Sequence, residues 1–417
     1  MKIAGYVATL ILAVVALGVG FAGTTAVLYV TQPASSSSTT VRFTVNPGDS
    51  TLVVAQHLQD DGLIRSAVAF RLYARFEHLD QGIEPGIYLL SPNMTMKSII
   101  TALQTGKPDE QLAGVIDALR LTQYPPYFTS LPNFSAADFT NIVKTAVLPD
   151  GTQLWKKYWF VEQPSTKVKP YDALEGYLYP DHYYFNGSDN ATAVIEKMML
   201  EMVSFFCPGP SSNPTMYVDT LADCKQHAVM IGKTDIFASM EGAYHTKNDT
   251  LAMYDTLTIA SLTAREIRNL SDAIGVASTF HNRYLGSINA ITNDGGTAGY
   301  LGSDPSAQYA RDSDSPPKDG KWWTPLANSG SQTDPKNPYN TEAPGHTGLP
   351  PGPIANPVWQ EILAAASPKD PTAWTNFWFV SDKCGKIYYA KDSAGFDNIN
   401  NNIIPKANAA TCPTTSP

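Results

Sequence analysis

The chain has 417 residues and is 43% hydrophobic, which allows two or three domains with true cores and excludes general disorder. Its formal net charge is −9, and no long basic run is present. That argues against a nucleic-acid partner, whose phosphates demand clustered Lys and Arg.

The first expected element is a membrane anchor. No charge occurs from Ile3 to Val30, and the next charge after Lys2 is Arg42. About 20 apolar residues span a bilayer, and the run exceeds the roughly 7–15-residue apolar core of a cleaved signal peptide. Residues 1–31 are therefore expected to hold a short cytoplasmic start and one transmembrane helix, with Lys2 setting the N-terminus inside. "QPASSSSTT", residues 32–40, is a low-complexity linker.

Val41 to Val45 alternates like a strand, and "NPGDS" is a turn ending in a helix cap. Leu52, Ala55, Leu58 and Leu63 supply the apolar face of a first helix. Ala67–Phe76 supplies a second, with Phe70, Tyr73 and Phe76. "GIYLLS" returns as a strand, and "MTMKSIITALQTGK" is a capped helix ending at Gly106. The order strand–helix–helix–strand predicts a small α/β module. From Pro108 to Lys169, prolines and mixed helical signals leave no assignable element.

"DALEGYLYPDHYYF" and the helical "ATAVIEKMMLEMVSFF" open the next region, and the Pro- and Asn-rich stretch from Cys207 to Cys224 reads as a surface excursion. "LAMYDTLTIASLTAREIRNL" and "SDAIGVASTFHNRYL" form a helical pair. Asn293 to Pro338 is rich in Gly, Asp, Ser and Pro, with Trp322 and Trp323 inside it, and long loops of this kind are functional or mobile. "NFWFVSDKCGKIYYAKD" reads as a hairpin turning at Lys383–Lys386. Four cysteines allow three pairings. We expect the neighbours to pair, Cys207 with Cys224 and Cys384 with Cys412, in an oxidising exterior, with free buried thiols as the alternative.

Motifs for metals, nucleotides and serine nucleophiles are missing. "IGKT", Ile231–Thr234, resembles the end of a phosphate loop, but that motif's first glycine would fall at His227. There is no HExxH, no GxSxG and no Cys/His cluster at metal spacing, so no metal or cofactor is implied. Carboxylates remain. Thr256, Ile259, Thr263, Glu266 and Leu270 recur at helical spacing, which makes Glu266 the one charge on an uncharged stripe, with Arg265 and Arg268 pointing elsewhere. A carboxyl desolvated there holds its proton to higher pH, as a general acid must. A solvated glutamate on a helix surface would show the same spacing.

The segments "LEGYLYPDHY", "TIASLTAREI", "TFHNRYL", "LGSDPS", "PYNTEAPGHTGLPPGPIANP" and "FWFVSD", in that order, resemble the MltG (YceG-like) family of membrane-anchored endolytic murein transglycosylases. Upstream, "VNPGDSTLVVAQHLQDDGLI" and "EPGIYLLSPNMTMKSIITALQTGK" resemble that family's LysM-like module. The resemblance implies an α+β fold: an N-terminal transmembrane helix, a LysM-like α/β module over 41–165 and a mixed α+β catalytic domain over 166–417. It implies cleavage of the β-1,4 bond between N-acetylmuramic acid and N-acetylglucosamine without water, giving 1,6-anhydro ends and terminating nascent strands. No cofactor is implied. The implied partners are peptidoglycan glycan strands, the membrane through the N-terminal helix, and cell-wall synthases, with the catalytic domain on the extracytoplasmic face of the cell membrane.

Carried over residue by residue, the family's catalytic glutamate closes "ASLTARE" as Glu266, while the glutamate commonly found two places earlier is Ala264 here. Glu175, Asn282, Arg283 and Asp304 match blocks implied around the cleft; Glu175 and Asp304 would otherwise cap helices or turns, and Arg283 would pair with an acid. Tyr339, Asn340 and Thr341 are expected on a stiff cleft wall, hydrogen-bonding acetamido or hydroxyl groups, unless that proline loop braces the Glu266 helix. Trp322 and Trp323 would stack on sugars or anchor their loop, and His182, His281 and His346 are read as structural. Gly395 and Phe396 stand where a Glu-His pair is expected. The rival readings are a glycan-binding scaffold that has lost activity and a hydrolytic muramidase.

Overall fold

Alternation in the first strand decides how the N-terminal unit is built. The computed structural model describes residues 32–45, 48–76, 83, 86–105, 110–165, 170–210, 213–326 and 334–412. The run expected to be an anchor lies outside them, and among the described residues no helix is long and apolar enough to cross a membrane. β1 (Val41–Val45) pairs antiparallel with β2 (Gly86–Leu90), Phe43 opposite Tyr88 and Val41 opposite Leu90. Phe43, Val45, Tyr88 and Leu90 point inward while Leu89 is exposed, the period-two pattern of a half-buried sheet.

Against that face pack α1 (Thr51–Asp60), capped by Ser50, then α2 (Ala67–Phe76) and α3 (Met96–Thr105). The buried face of α1 is Val54, Ala55 and Leu58; Leu52 is 52% exposed, so the expected stripe was rotated by part of a turn at its start. Phe70 and Ala74 of α2 and Ile99, Ile100 and Leu103 of α3 complete one core. β3 (Glu110–Gly114) and β4 (His182–Asn186) form a second two-stranded sheet. The strand–helix–helix–strand order is as expected.

The chain divides into two units. The first unit holds the described residues up to Ala113 with Ser130–Asn133 and Tyr183–Asp189. Gly114–Thr129 and Phe134–His182 fold with the second unit, which continues from Asn190. The unassigned Pro108–Lys169 region contains α4 (Ala136–Thr145), N-capped by Ser135.

In the second unit follow α5 (Ala191–Ser204), the small hairpin β5–β6 (Met230–Ile231, Thr234–Asp235) and α6 (Ile236–Ala243). Next come α7 (Asp249–Glu266), α8 (Ala273–Ser287), α9 (Asp304–Asp314) and α10 (Trp359–Ala366). The hairpin β7–β8 (Trp378–Ser381, Ile387–Ala390) and the short α11 (Ser393–Asn398) close the unit. α7 is central, packed by α6, α8, α9 and α10. The loop expected over Asn293–Pro338 contains α9, whose polar sequence hides it although Ser303 and Pro305 mark its start.

Both expected disulfides are present, Cys207–Cys224 and Cys384–Cys412. The second ties the C-terminal tail to the β7–β8 turn, where the Lys383 N–H also donates to Asn408 Oδ1 at 2.7 Å. Replacing Cys384 and Cys412 together by Ser should lower stability by about 3 kcal/mol, the entropy recovered by an open loop of this size. Thermal unfolding should show the loss, and limited proteolysis should cut first beyond β8.

Candidate active site

Glu266 ends a helix that is buried on nearly every side. From Ala252 to Ala264, most α7 side chains are enclosed. Three of its hydroxyls bond back into the helix: Thr256 donates to Ala252 O at 2.8 Å, Thr258 to Tyr254 O at 2.9 Å and Ser261 to Thr258 O at 2.8 Å. Such a helix has no single apolar stripe. It stops at Glu266, because Ile267 turns to extended backbone (ψ 155°), and Leu270 lies beyond it in a 3₁₀ turn, 44% exposed. Leu270 is thus no part of the face expected for Glu266.

The partly buried Glu266 opens onto a cleft of about 630 Å³. Arg283, Asp304 and Glu342 bring the other charges, and Trp378, Phe379 and Phe396 form an aromatic wall. Ser303 occupies the N-cap position of α9 but makes no side-chain cap; its hydroxyl donates instead to Glu266 Oε1 at 3.4 Å. Thr341 fixes that serine, its Oγ1 accepting from Ser303 N–H at 3.0 Å and its carbonyl from Gly302 N–H at 3.2 Å. Gly302 needs its φ of +57°, and a Cβ there would lie 3.3 Å from Arg283 Nη1.

Burial pushes the Glu266 carboxyl up to about 7, and the Asp304 charge adds to this, against the pull of Arg283, the Ser303 hydroxyl and Arg265. Its place at the negative end of α7 acts in the same upward direction. Arg283 is buried, donates from Nε to Phe377 O at 2.5 Å and from Nη1 to Leu301 O, and faces the Trp378 ring at 5.3 Å. Burial lowers its pKa to about 10 while Glu266 and Glu342 hold it up, so it stays a cation at neutral pH.

Of the residues expected at the site, the structure brings Glu266, Arg283 and Asp304 to the cleft. Glu175 is 1% exposed and serves the interior: it accepts from Leu121 N–H at 3.1 Å, Asn356 Nδ2 at 2.8 Å and Tyr309 OH at 3.2 Å. Burial and then Asp172 hold its carboxyl well above the usual range. Asn282 donates to the carbonyls of Trp374 (2.6 Å) and Asn376 (3.0 Å), so it positions the approach to β7. Tyr339, Asn340 and Thr341 are each about 1% exposed, and none reaches the cleft. The Tyr339 ring packs on Tyr171 and Tyr309, and the Asn340 carboxamide accepts from Glu342 N–H at 3.4 Å.

The proline loop is therefore a brace, not a cleft wall. Ile354 N–H donates to Ser261 Oγ of α7 at 3.0 Å, and Tyr254 OH donates to Pro351 O at 3.1 Å. Asn356 accepts from Gly176 N–H and Leu178 N–H at 3.0 and 3.1 Å, while its amide donates to Leu119 O at 3.1 Å. Gly176 has φ +86°, and a Cβ there would meet Pro353 at 2.7 Å. Trp322 and Trp323 anchor their loop: the Arg120 guanidinium lies 4.5 Å from the Trp322 ring, Arg265 lies 4.1 Å from Trp323, and Trp323 Nε1 donates to Gln123 at 3.0 Å. Arg268 donates to Lys383 O at 2.9 Å. His281, lowered to about 4 by burial, sits against Ala243 O, and His346 against Asn340 O.

Sequence reasoning missed Ser303, Glu342, Trp378 and Phe396. Ser303 carried a signal as the N-cap before Asp-Pro, and Glu342 follows "YNT" directly. Trp378 lay in the "FWFVSD" block and Phe396 at the place of an expected Glu-His pair, but neither was read as a cleft residue.

A half-buried acid held near neutrality beside one cation, on an open cleft, is the arrangement of an acid/base enzyme. The YceG-like family model matches residues 43–402, and the chain belongs to that family. It is 27% identical to the endolytic murein transglycosylase of Bacillus subtilis over 368 residues, covering 85% of this chain and 82% of that one. It is 25% identical to the Streptococcus pneumoniae protein of the same name, covering 87% of this chain and 58% of that longer one. A yceG-like protein of Listeria monocytogenes of known structure is 21% identical, with a TM-score of 0.47 over 87% of this chain and 100% of its own.

Two stability measurements check the site. Glu266 is neutral in both states below about pH 4.5 and ionises more readily in the unfolded chain, so the stability it permits is lost as pH rises through about 7. Glu266→Gln should match the parent at pH 4 and exceed it at pH 8 by up to about 3 kcal/mol in denaturant unfolding. Glu175→Ala, which strands the Leu121, Asn356 and Tyr309 donors, should cost about 3 kcal/mol at neutral pH.

Proposed function

We propose that the chain is an endolytic murein transglycosylase, cutting within nascent glycan strands and so terminating them, with Glu266 as its acid and base. The observation that carries this reading is the Glu266 carboxyl itself, at the end of a buried helix, open to a cleft and raised to about 7. The name shared by relatives that align over 85% and 87% of the chain supports it.

An ordinary glycosidase pairs two carboxyls, one as acid and one as base or nucleophile. Here the 6-hydroxyl of N-acetylmuramic acid is the nucleophile. Protonated Glu266 gives its proton to the glycosidic oxygen as the C1–O4 bond breaks. The 6-oxygen bonds to C1, and the 6-hydroxyl proton passes to the Glu266 carboxylate, restoring the acid. No water is consumed, and the new end is 1,6-anhydro-N-acetylmuramic acid. A carboxyl near 7 has both forms accessible at neutral pH, as these roles require. Ser303 and Arg283 steady the ionised form between the two transfers.

Under the same reading, residues 1–31 are a single-pass anchor, 32–40 a linker, and the catalytic unit acts on the extracytoplasmic face beside cell-wall synthases. The uncharged run Ile3–Val30 and two disulfides, which persist in oxidising compartments, support this. The β1–α1–α2–β2–α3 fold is then the LysM-like module meeting glycan. Of the cleft-lining residues expected to touch substrate, Arg283 and Asp304 keep that role. Thr341 positions Ser303 beside Glu266, Asn282 holds the approach to β7, and Glu175, Tyr339 and Asn340 serve the interior.

One observation favours a second reading: Asp304 and Glu342 share the cleft, and either could activate water for hydrolysis. Product identity decides. Full-length protein incubated with uncrosslinked nascent glycan should yield anhydro-muramyl ends by mass spectrometry, reduced about a thousandfold in Glu266→Gln. Reducing ends would mean hydrolysis. No product from folded protein would leave a glycan-binding scaffold, the reading that Ala264 and Phe396 favour.

A further inference from the structure

The cleft is lined by two chemically different sets of side chains, and proton transfer uses only one. Beside the carboxyl groups it carries Trp378 of β7 and Phe396 of α11, both only partly buried. Trp378 is fixed at its edge, where Nε1–H donates to Gly295 O at 2.8 Å, and is faced by the Arg283 guanidinium at 5.3 Å. The Phe396 ring lies 5.0 Å from it at 34°. α11 holds Phe396 there: Asp392 caps the helix through Gly395 N–H at 2.8 Å, and a Cβ on Gly395 would come within 3.3 Å of Ala390 Cβ. The tail beyond it is tied back by Cys384–Cys412.

Two aromatic rings left at the wall of an open cleft forgo burial that would stabilise the free protein. Their exposed surface suits a ligand with a flat apolar face and a polar rim. A pyranose ring is such a ligand, because its C–H bonds line the two faces while its hydroxyl and acetamido groups radiate outward toward donors and acceptors. The acid that would meet the glycosidic oxygen lies on the same cleft.

We propose that Trp378 and Phe396 form a sugar platform that takes the C–H face of one pyranose unit of the glycan and sets its glycosidic oxygen toward Glu266. The proposal rests on the glycan-cleaving reading. It assigns substrate recognition to the position where this chain departs from the expected histidine, so affinity there comes from stacking in place of a titrating side chain.

The test is binding of stem-free, uncrosslinked glycan strands to full-length Glu266→Gln protein, followed by calorimetry and tryptophan fluorescence. Adding Phe396→Ala should raise Kd about tenfold. Phe396→Leu, which keeps apolar volume for folding, should raise it several-fold, while Phe396→Tyr should stay within about twofold. Equal affinity for the Ala, Leu and Tyr variants would overturn the platform while glycan recognition stood. No binding by the Glu266→Gln parent would overturn the glycan-cleaving reading and the platform with it.

Discussion

The hydroxyl of Ser303, turned from its own helix onto Glu266, is the contact on which the site depends. A serine at an N-cap ordinarily accepts from the helix's first turn and contributes about 1 kcal/mol. Here that contribution is given up, and the oxygen donates to a carboxyl that burial and the end of α7 both make costly to ionise. Thr341 makes the arrangement possible by holding the backbone of Gly302 and Ser303 from outside α9. Three segments far apart in sequence thus meet around Ser303. The result is an acid that neither loses its proton wholly at neutral pH nor keeps it beyond reach.

What keeps α7 in place is a lattice of buried polar groups where loops replace regular structure. Irregular backbone in a core must find partners for every N–H and C=O. Asn356 does this for Gly176, Leu178, Ala118 and Leu119, and Glu175 does it for Leu121. The prolines of the loop carry no N–H to strand, so it can be enclosed, and it meets α7 twice, through Ile354 N–H on Ser261 and through Pro351 O on Tyr254. Such a lattice is rigid only when complete. That is why so many polar residues of the second unit are buried without touching the cleft.

This also explains what was legible in the sequence. β1, α1, α2, β2 and α3 announced themselves because a half-buried sheet and surface helices write their burial as a period, and each has a local cap or turn. Even there Leu52 misled, since one apolar residue at the start of a helix fits two neighbouring faces. α7 is buried on nearly every side, so the stripe that singled out Glu266 could not tell it from a solvated surface glutamate, and the "ASLTARE" block identified it. α9 was hidden by a polar sequence whose buried positions are Pro, Ser, Ala, Tyr and Asp. Glu175, Asn282, Asn340 and Thr341 looked like ligand contacts because residue type records the capacity to hydrogen-bond and not its direction. Whether an amide faces a sugar or a backbone is settled by tertiary packing alone.

Arg283 shows why the acid and the aromatic wall are not separate devices. Its guanidinium is a planar fork, and the prongs go different ways: Nε to Phe377 O, just before β7, and Nη1 to Leu301 O, just before Ser303. One side chain therefore sets the strand that carries Trp378 and the loop that carries the hydroxyl on Glu266, while its charge draws the Glu266 carboxyl downward. A lysine could keep the charge but not the fork, and the two carbonyls would then be free to move independently. Burial accounts for the remainder. An enclosed cation needs its charge met, and Glu266 and Glu342 meet it from the cleft side. The acid is held near 7 by an opposing pair of demands: low-dielectric surroundings that favour the neutral form, and a cation that is stable there because the acid can ionise.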